Sequence, residues 1–569
     1  MVIDPVGATL QTTLLFELGT ILILAAIFAY IAKALKQPLI PAYVITGIII
    51  GPMVLGLIQD IELIKSLSEL GIIFLLFVVG VEIDLNKLKK VGWAVGIGGI
   101  FQVLMTFLCG FFVGSLLGFD TINSIYAGLI VAFSSTMIVI KLLSDEEEIN
   151  TLHGRLILGI LFVQDVLVIL ALALLGLGEN ASALAFLIIF IKGLLLGSVA
   201  YITNKFAIKP FFKFAAKSAE LLFLLSIAIC FLFALFAHTL GFSLAIGAFI
   251  GGVILANLPY NLNIIGRISP LKDFFSTIFF ATLGMQLVLV NFNNLILPLI
   301  LFLIIILILK PIFIMLILSL FGYGKRNAFV SAVSLAQISE FALILVMMVQ
   351  KTMSPELFSL TIILAVITIT MTSYIIKYEL FFYNIISKPL NSLDKISVKK
   401  RMFGYKEHEE RQIIMFGYHR MGTTILSLLK NLKTKILIVD FNPEIIEKLT
   451  SKKIPCMYGD MANLEILKRI KVKKAKIILS TVPQEKDNII MLNYVKEVNP
   501  KCKIFVSANH LHEALDLYEA GADYVIMPHL LSGERTGNLV NKFVKGTVDL
   551  KTTRNKHLKQ LLEINSSLI

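Results

Sequence analysis

The chain has 569 residues, 57% of them hydrophobic, and a formal net charge of +13. Its mean hydropathy of +0.87 excludes a soluble globular protein of this length. The four cysteines (Cys109, Cys230, Cys456 and Cys502) have no paired spacing, so neither a disulfide framework nor a structural metal site is expected.

Apolar runs near or above 18 residues recur to about residue 378, after which charged text alternates with short β-branched runs. The change divides the chain into a membrane domain at 1–380, a basic linker at 381–410, a soluble domain at 411–533 and a polar tail at 534–569. The first apolar run lacks a basic leader and a small-residue cleavage site, and is read as a retained span. Thirteen spans are expected, at 14–34, 38–54, 67–83, 93–117, 123–143, 153–175, 183–207, 220–240, 243–258, 272–290, 294–321, 328–350 and 356–378.

With the amino terminus outside, inner loops carry Lys33, Lys36, Lys87, Lys89, Lys90, Lys141, Arg155, Lys205, Lys209, Lys213, Lys217, Arg267, Lys272, Lys325 and Arg326, while outer loops carry only Lys65 and Lys351. This asymmetry implies a multi-pass protein of the cytoplasmic (inner) membrane with its soluble domain in the cytoplasm. Topology and attraction to anionic lipid explain the positive charge without a nucleic-acid partner.

In the sixth span, GRLILGILFVQDVLVILALALL (154–175), Gln164-Asp165 interrupts an otherwise apolar centre. A carboxylate at that depth is tolerated where it faces a water-filled cavity or a partner. A lone fixed carboxylate can hold either a proton or a monovalent cation, which is the minimal chemistry of an exchanger; helix packing is the bland alternative. Two more spans are interrupted, by Ser134-Ser135-Thr136 in 123–143 and by Gln337, Ser339 and Glu340 in 328–350. Paired interruptions point to the midplane site of a secondary transporter. For the hydroxyls taken alone, ordinary helix–helix hydrogen bonding reads equally well. Lys310, in LILKPIFI, either snorkels to an interface or partners a carboxylate; Lys192 has no assignment.

Seven stretches then occur in the order of a known family: QPLIPAYVITGIIIGPMVLGLI (37–58), LLFVVGVEIDLNKLKK (75–90), VAFSSTMIVIKLL (131–143), HGRLILGILFVQDVLVI (153–169), LGFSLAIGAFIGGVILAN (240–257), FFATLGMQLVL (279–289) and AQISEFALIL (336–345). The membrane domain resembles the second family of monovalent cation:proton antiporters, within it the Kef-type potassium efflux systems. The resemblance implies a core bundle with two crossing broken helices, 123–143 and 328–350, beside a dimerisation bundle. It puts the ion-binding carboxylate on Asp165, the membrane lysine on Lys310 and the Ser-Glu-Phe segment on Ser339, Glu340 and Phe341. Electrogenic relatives have a second aspartate where this chain has Gln164, so one proton against one cation, K+ before Na+, is the expectation. Hydroxyl and carbonyl oxygens around Ser134, Ser135 and Thr136 complete the cation's shell.

From residue 411 strand, turn and helix repeat as in a parallel, Rossmann-like sheet. GYHRMG (417–422) places Gly417 and Gly422 at the first and third positions of a dinucleotide fingerprint, with His419 at the second, and Asp440 ends the second strand where a ribose hydroxyl binds. In this context the domain resembles the amino-terminal RCK, or TrkA-N, domain found behind Kef-type carriers. The resemblance implies phosphate contacts at Gly417, Arg420 and Gly422, ribose at Asp440, and further contacts at Gly459, Asp460, Ser480 and Thr481. The ligand expected is AMP or another adenine nucleotide, or an NAD(H) seated differently because of His419. A homodimer is also implied. ANLPYNLNIIGRI (256–268) lacks the acidic loop of glutathione-gated relatives, so gating by glutathione adducts is not expected. The acidic run Asp145–Glu148 reads as a solvated face, and His510 and His512 as surface helix residues. A sodium/proton antiporter of the same fold is the alternative. An RCK-gated potassium channel is more remote, because no filter of the TVGYG kind lies between spans.

Overall fold

The computed structural model describes residues 5–35, 37–58, 61–82, 93–145, 148–149, 151–175, 183–256, 258–287, 292–386, 411–418, 420–429 and 435–568. His419, Lys36, Lys87, Lys89, Lys90, Glu146, Glu147 and most of the linker lie outside the described residues. Two compact units divide at residue 396.

In the first unit every expected span coincides with a helix or a pair of helices. Among the described residues, seven are long and apolar enough to cross a membrane. Several boundaries differ, three of them in ways that change a reading. The tenth span starts at Asn261, not 272, because the helix Asn261–Met285 runs straight through Pro270. Most of the segment read as an acid-free loop is therefore helix. The seventh continues past Ala183–Thr203 through a π turn, Asn204–Ile208, into Lys209–Ala215. A short helix, Glu379–Ile386, begins the stretch read as linker.

Packing sorts these helices into two bundles. The first holds Pro5–Ala34, Leu39–Ile50, Ile61–Glu82, Ala219–Thr239, Leu244–Ala256 and Asn261–Met285. Its backbones touch: a Cβ on Gly80 would meet Phe249 O at 2.3 Å, and one on Gly252 would meet Phe77 O at 2.1 Å. Close approach of this kind stands in for the hydrophobic effect, which lipid does not supply. The second bundle holds Trp93–Leu116, Leu152–Leu175, Phe292–Leu320, Pro355–Lys377 and the two broken helices, Thr121–Ala132 with Thr136–Asp145 and Lys325–Ser334 with Glu340–Met348. Contacts are sparser between the bundles than within them.

The second unit is a six-stranded parallel sheet, β1 (Ile413–Phe416), β2 (Ile436–Asp440), β3 (Cys456–Tyr458), β4 (Ile477–Ser480), β5 (Lys503–Ser507) and β6 (Tyr524–Ile526). The order β3-β2-β1-β4-β5-β6 reverses direction between β1 and β4, which opens a crevice at the carboxyl ends of the strands. The stretch read as a polar tail is helical, as Pro528–Val544, which starts inside the expected domain, and Leu550–Leu568.

Candidate functional site

Two interruptions leave unwound backbone inside the second bundle, and every such group needs a partner where water is excluded. In the first break Ser134 N–H donates to Gln164 Oε1 at 2.8 Å, and Ser135 O accepts from Gln337 Nε2 at 3.5 Å. In the second, Leu335 O accepts from Ser134 Oγ at 2.8 Å, Ala336 O from Thr372 Oγ1 at 2.9 Å, and Ile338 N–H donates to Thr368 Oγ1 at 3.3 Å. The breaks therefore satisfy each other, and the helix Pro355–Lys377 supports them through two threonines one turn apart. Ser339 caps the helix Glu340–Met348 by accepting from Phe341 N–H at 3.1 Å.

Asp165 lies beside this crossing, buried, with Thr136 Oγ1 donating to its Oδ1 at 2.8 Å. Gln164, one residue earlier, faces a different set of groups. Its Nε2 donates to Gln102 Oε1 at 2.6 Å, and Gln102 Nε2 donates to Thr106 Oγ1 at 3.1 Å and Ala132 O at 3.2 Å. This amide relay needs a donor and an acceptor on one side chain, which a carboxylate at position 164 could not provide. Asp165 is thus left as the ionisable member of the pair.

Lys310 departs from both sequence readings. It is fully buried rather than snorkelled, and its ammonium donates to carbonyls, not to a carboxylate: Phe133 O and Gln337 O at 2.8 Å and Val131 O at 3.3 Å. The broken helices end here with carbonyls that have no intrahelical donor, and an ammonium is the natural cap for such ends. Its own helix carries a π turn, Ile305–Leu309, immediately before it.

Glu340 is fully buried at the same crossing; Met137 N–H approaches its Oε1 at 3.5 Å and Ser135 bonds its carboxyl group. Its Oε2 has no hydrogen-bond partner in the protein. Glu82 and Glu340 lie within electrostatic reach of Asp165. Glu148 corrects the solvated-face reading: it is buried, with His153 Nε2 at 3.2 Å from its Oε2.

A cavity of about 890 Å³ leads to the site between the bundles. Lys33, Tyr43, Lys272, Asp273 and Ser276 line it from the first bundle, and Met137, Ile138, Lys141, Ser373 and Lys377 from the second. Met137 and Ile138 directly follow Thr136, so this vestibule ends within a helical turn of the Asp165 contact. At the other ends of the helices the bundles are latched together: Gln350 Nε2 donates to Gln286 Oε1 at 2.7 Å, and Gln286 Nε2 reaches Met347 Sδ at 3.9 Å.

In the second unit Gly417, Asp440, Gly459, Asp460, Ser480 and Thr481 lie at or just after the carboxyl ends of β1 to β4, beside the crevice. Gly417 follows β1 with φ +83°, a conformation that favours glycine. A Cβ on Gly422 would meet Gly417 O at 2.4 Å, so the turn and the helix Arg420–Leu428 pack without room for a side chain. Asp440 accepts from Tyr418 N–H (2.7 Å, Oδ2) and Asn442 N–H (2.8 Å, Oδ1), which fixes its carboxylate beside the turn. Thr481 Oγ1 donates to Gly417 O at 3.0 Å, and Asp460 Oδ1 accepts from Ala462 N–H at 3.0 Å. Gly459 N–H donates to Asp440 O at 3.0 Å, tying the β3 turn to β2. Ser480 is fully buried and shapes its loop by accepting from Val482 N–H at 3.3 Å. A helix amino terminus beside a glycine turn and a fixed carboxylate suits a phosphate and a ribose. His510 caps the helix Leu511–Glu519, and its ring stacks on His512 at 5.6 Å.

Sequence reasoning missed Gln102, Thr106, Thr368 and Thr372. The available signal was a polar pair four residues apart on one face of an apolar helix.

The transmembrane sodium/hydrogen exchanger family matches residues 21–381, and the TrkA-N domain matches 413–528. The chain is 33% identical over 342 residues to K(+) efflux antiporter 5 of Arabidopsis thaliana, spanning 58% of this chain and 60% of that protein. It is 27% identical over 514 residues to the glutathione-regulated potassium-efflux system protein KefC of Escherichia coli, spanning 88% of this chain and 80% of that one. Among solved structures, the sodium proton antiporter MjNhaP1 of Methanocaldococcus jannaschii matches 67% of this chain and 98% of its own at 19% identity, with a TM-score of 0.49. The chain belongs to the transmembrane sodium/hydrogen exchanger family, as a Kef-type antiporter rather than an enzyme, with a TrkA-N domain behind the membrane unit.

Proposed function

We propose that the protein exchanges potassium for protons, one for one and electroneutrally, across the cytoplasmic membrane, with Asp165 holding either ion in turn. The observation that carries this reading is the single ionisable group of the Gln164-Asp165 pair, held by Thr136 at a crossing whose next residues, Met137 and Ile138, line a cavity between the bundles. Competition supplies the coupling. A bare carboxylate crossing a low-dielectric barrier is costly, so only the protonated or cation-loaded form changes sides at useful rates. The loop charges favour an outside amino terminus, which makes the vestibule the cytoplasmic mouth. The names of both curated relatives favour potassium. Sodium is the alternative ion on the same site. Proteoliposomes carrying a pH gradient distinguish the two: proton movement driven by potassium and indifferent to membrane potential supports the reading, and a sodium preference replaces it.

On this reading the second bundle moves against the first, and the Gln286–Gln350 latch closes the outer side. Gln286→Ala removes the Gln350 hydrogen bond, worth about 1 kcal/mol, and the longer, weaker contact to Met347 Sδ, so the outward-open population rises roughly five-fold. Hydrogen–deuterium exchange should increase at 347–353 and not at the vestibule. Unchanged protection there would mean that the latch does not hold the gate.

The TrkA-N unit binds an adenine nucleotide, AMP or NAD(H), as a regulatory ligand, and pairs two chains into a dimer. The left-handed Gly417 turn and the fixed Asp440 support the ligand reading. Gly417→Ala strains that turn and brings a methyl to 2.7 Å from Thr481 Oγ1. Calorimetric titration of AMP and of NADH should show about a ten-fold or greater loss of affinity, equivalent to roughly 1–2 kcal/mol. Equal binding by variant and wild type would remove the turn from the nucleotide site.

A further inference from the structure

The vestibule has a lining unlike a cation's entry path. Lys33, Lys141, Lys272 and Lys377 reach it from four different helices, against one lining carboxylate, Asp273. Lys272 is buried and pairs with Asp273 at 3.1 Å; the other three lysines are exposed. Glu82 and Glu340 also lie within electrostatic reach of Lys272. Three exposed lysines therefore line one concavity with no carboxylate partner among the described residues. Basic residues that only satisfy membrane topology need not share a concavity. Lysines from separate helices around one concavity suit a multiply charged anion.

We infer that the vestibule is a binding site for a phosphate-bearing anion, either a free phosphate compound or a lipid headgroup, which holds the two bundles apart. The volume of about 890 Å³ exceeds what inorganic phosphate needs and accommodates a phosphate ester or a headgroup. Lys33 belongs to the first bundle and Lys141 and Lys377 to the second, so one anion bridging them spans the gap. The inference rests on the exchanger reading for its effect on transport, and on geometry alone for binding. Alternating access requires the vestibule to collapse in each cycle, so an occupant slows exchange by stabilising the open state.

The test uses pyrophosphate as the soluble probe and phosphatidylglycerol as the lipid probe, with wild type beside the double variant Lys33→Gln, Lys377→Gln. Neither residue touches the Asp165 site. Binding is read first, without transport, as thermal stabilisation of the purified full-length chain in detergent. Wild type should be stabilised by one probe, the variant at least ten-fold less sensitive to it, and added salt should erase the difference. Stabilisation by pyrophosphate identifies a soluble anion, and by phosphatidylglycerol alone a headgroup. In proteoliposomes the effective probe should lower the exchange rate of wild type several-fold and leave the variant at its uninhibited rate. If neither probe stabilises wild type, or the variant responds equally, there is no such site. Binding without slowed exchange overturns the bridging role. Failure of exchange in all samples, with binding intact, instead counts against the transport reading.

Discussion

Asp165→Asn removes cation-driven proton movement, by about a hundred-fold or more, while leaving the fold intact. Asparagine keeps the size of the side chain and an oxygen for Thr136 Oγ1, now 2.8 Å from Asp165 Oδ1. What it loses is the charge, and with it both states of the cycle: it neither takes up a proton nor balances a cation. A loss of roughly 3 kcal/mol of ion-binding free energy already gives a factor of about a hundred. Thr136→Val should do less, because it deletes one donor and retains the charge; about ten-fold in apparent cation affinity matches the ~1–2 kcal/mol of one hydrogen bond to a charged group. The order of the two effects matters as much as their size. A Thr136 variant as inactive as Asp165→Asn would mean that the hydroxyl positions the site as a whole. Exchange persisting in Asp165→Asn, with the melting temperature unchanged, would take Asp165 out of the mechanism.

Different parts of this architecture were legible to different degrees. A charge or a run of hydroxyls inside an apolar helix stands out in the text, and so Asp165, Glu340 and both breaks could be located before any coordinates. A parallel, Rossmann-like sheet followed from alternating strands and helices, whereas its strand order became visible only in the structure. Partners were another matter. Gln102 and Thr106 lie four residues apart, and Thr106 Oγ1 does donate to Gln102 O at 2.9 Å, the self-contained habit of such residues. Nothing local announces that Gln102 also reaches Gln164, 62 positions away. The tenth span is expected from 272, with Arg267 and Lys272 counted among the loop charges, whereas the helix begins at Asn261 and Lys272 is buried against the vestibule. Polarity marks a span's end only when the polar groups face solvent rather than a cavity between helices.

Lys310 offers the sharper division between structural and chemical roles. Its ammonium donates to three carbonyls at the ends of the broken helices, two of them at 2.8 Å. Lys310→Met keeps the length of the side chain but leaves those carbonyls without a donor in a site sealed from water. Each unsatisfied group costs about 1–3 kcal/mol, so a loss of at least about 3 kcal/mol is expected. For a chain of this size that corresponds to a fall of roughly 2–4 °C in melting temperature, read on purified protein with no ion gradient. Lys310→Arg keeps a cation and its donors and should recover part of the stability. The competing view, with Lys310 as counter-ion to Asp165, makes the opposite prediction: the methionine variant would melt near wild type, and its defect would appear only in the pH dependence of exchange. A stable Lys310→Met protein with altered pH dependence would therefore transfer the lysine from the crossing's framework to its ion chemistry. A destabilised one fixes it as the cap that lets two broken helices meet inside a membrane.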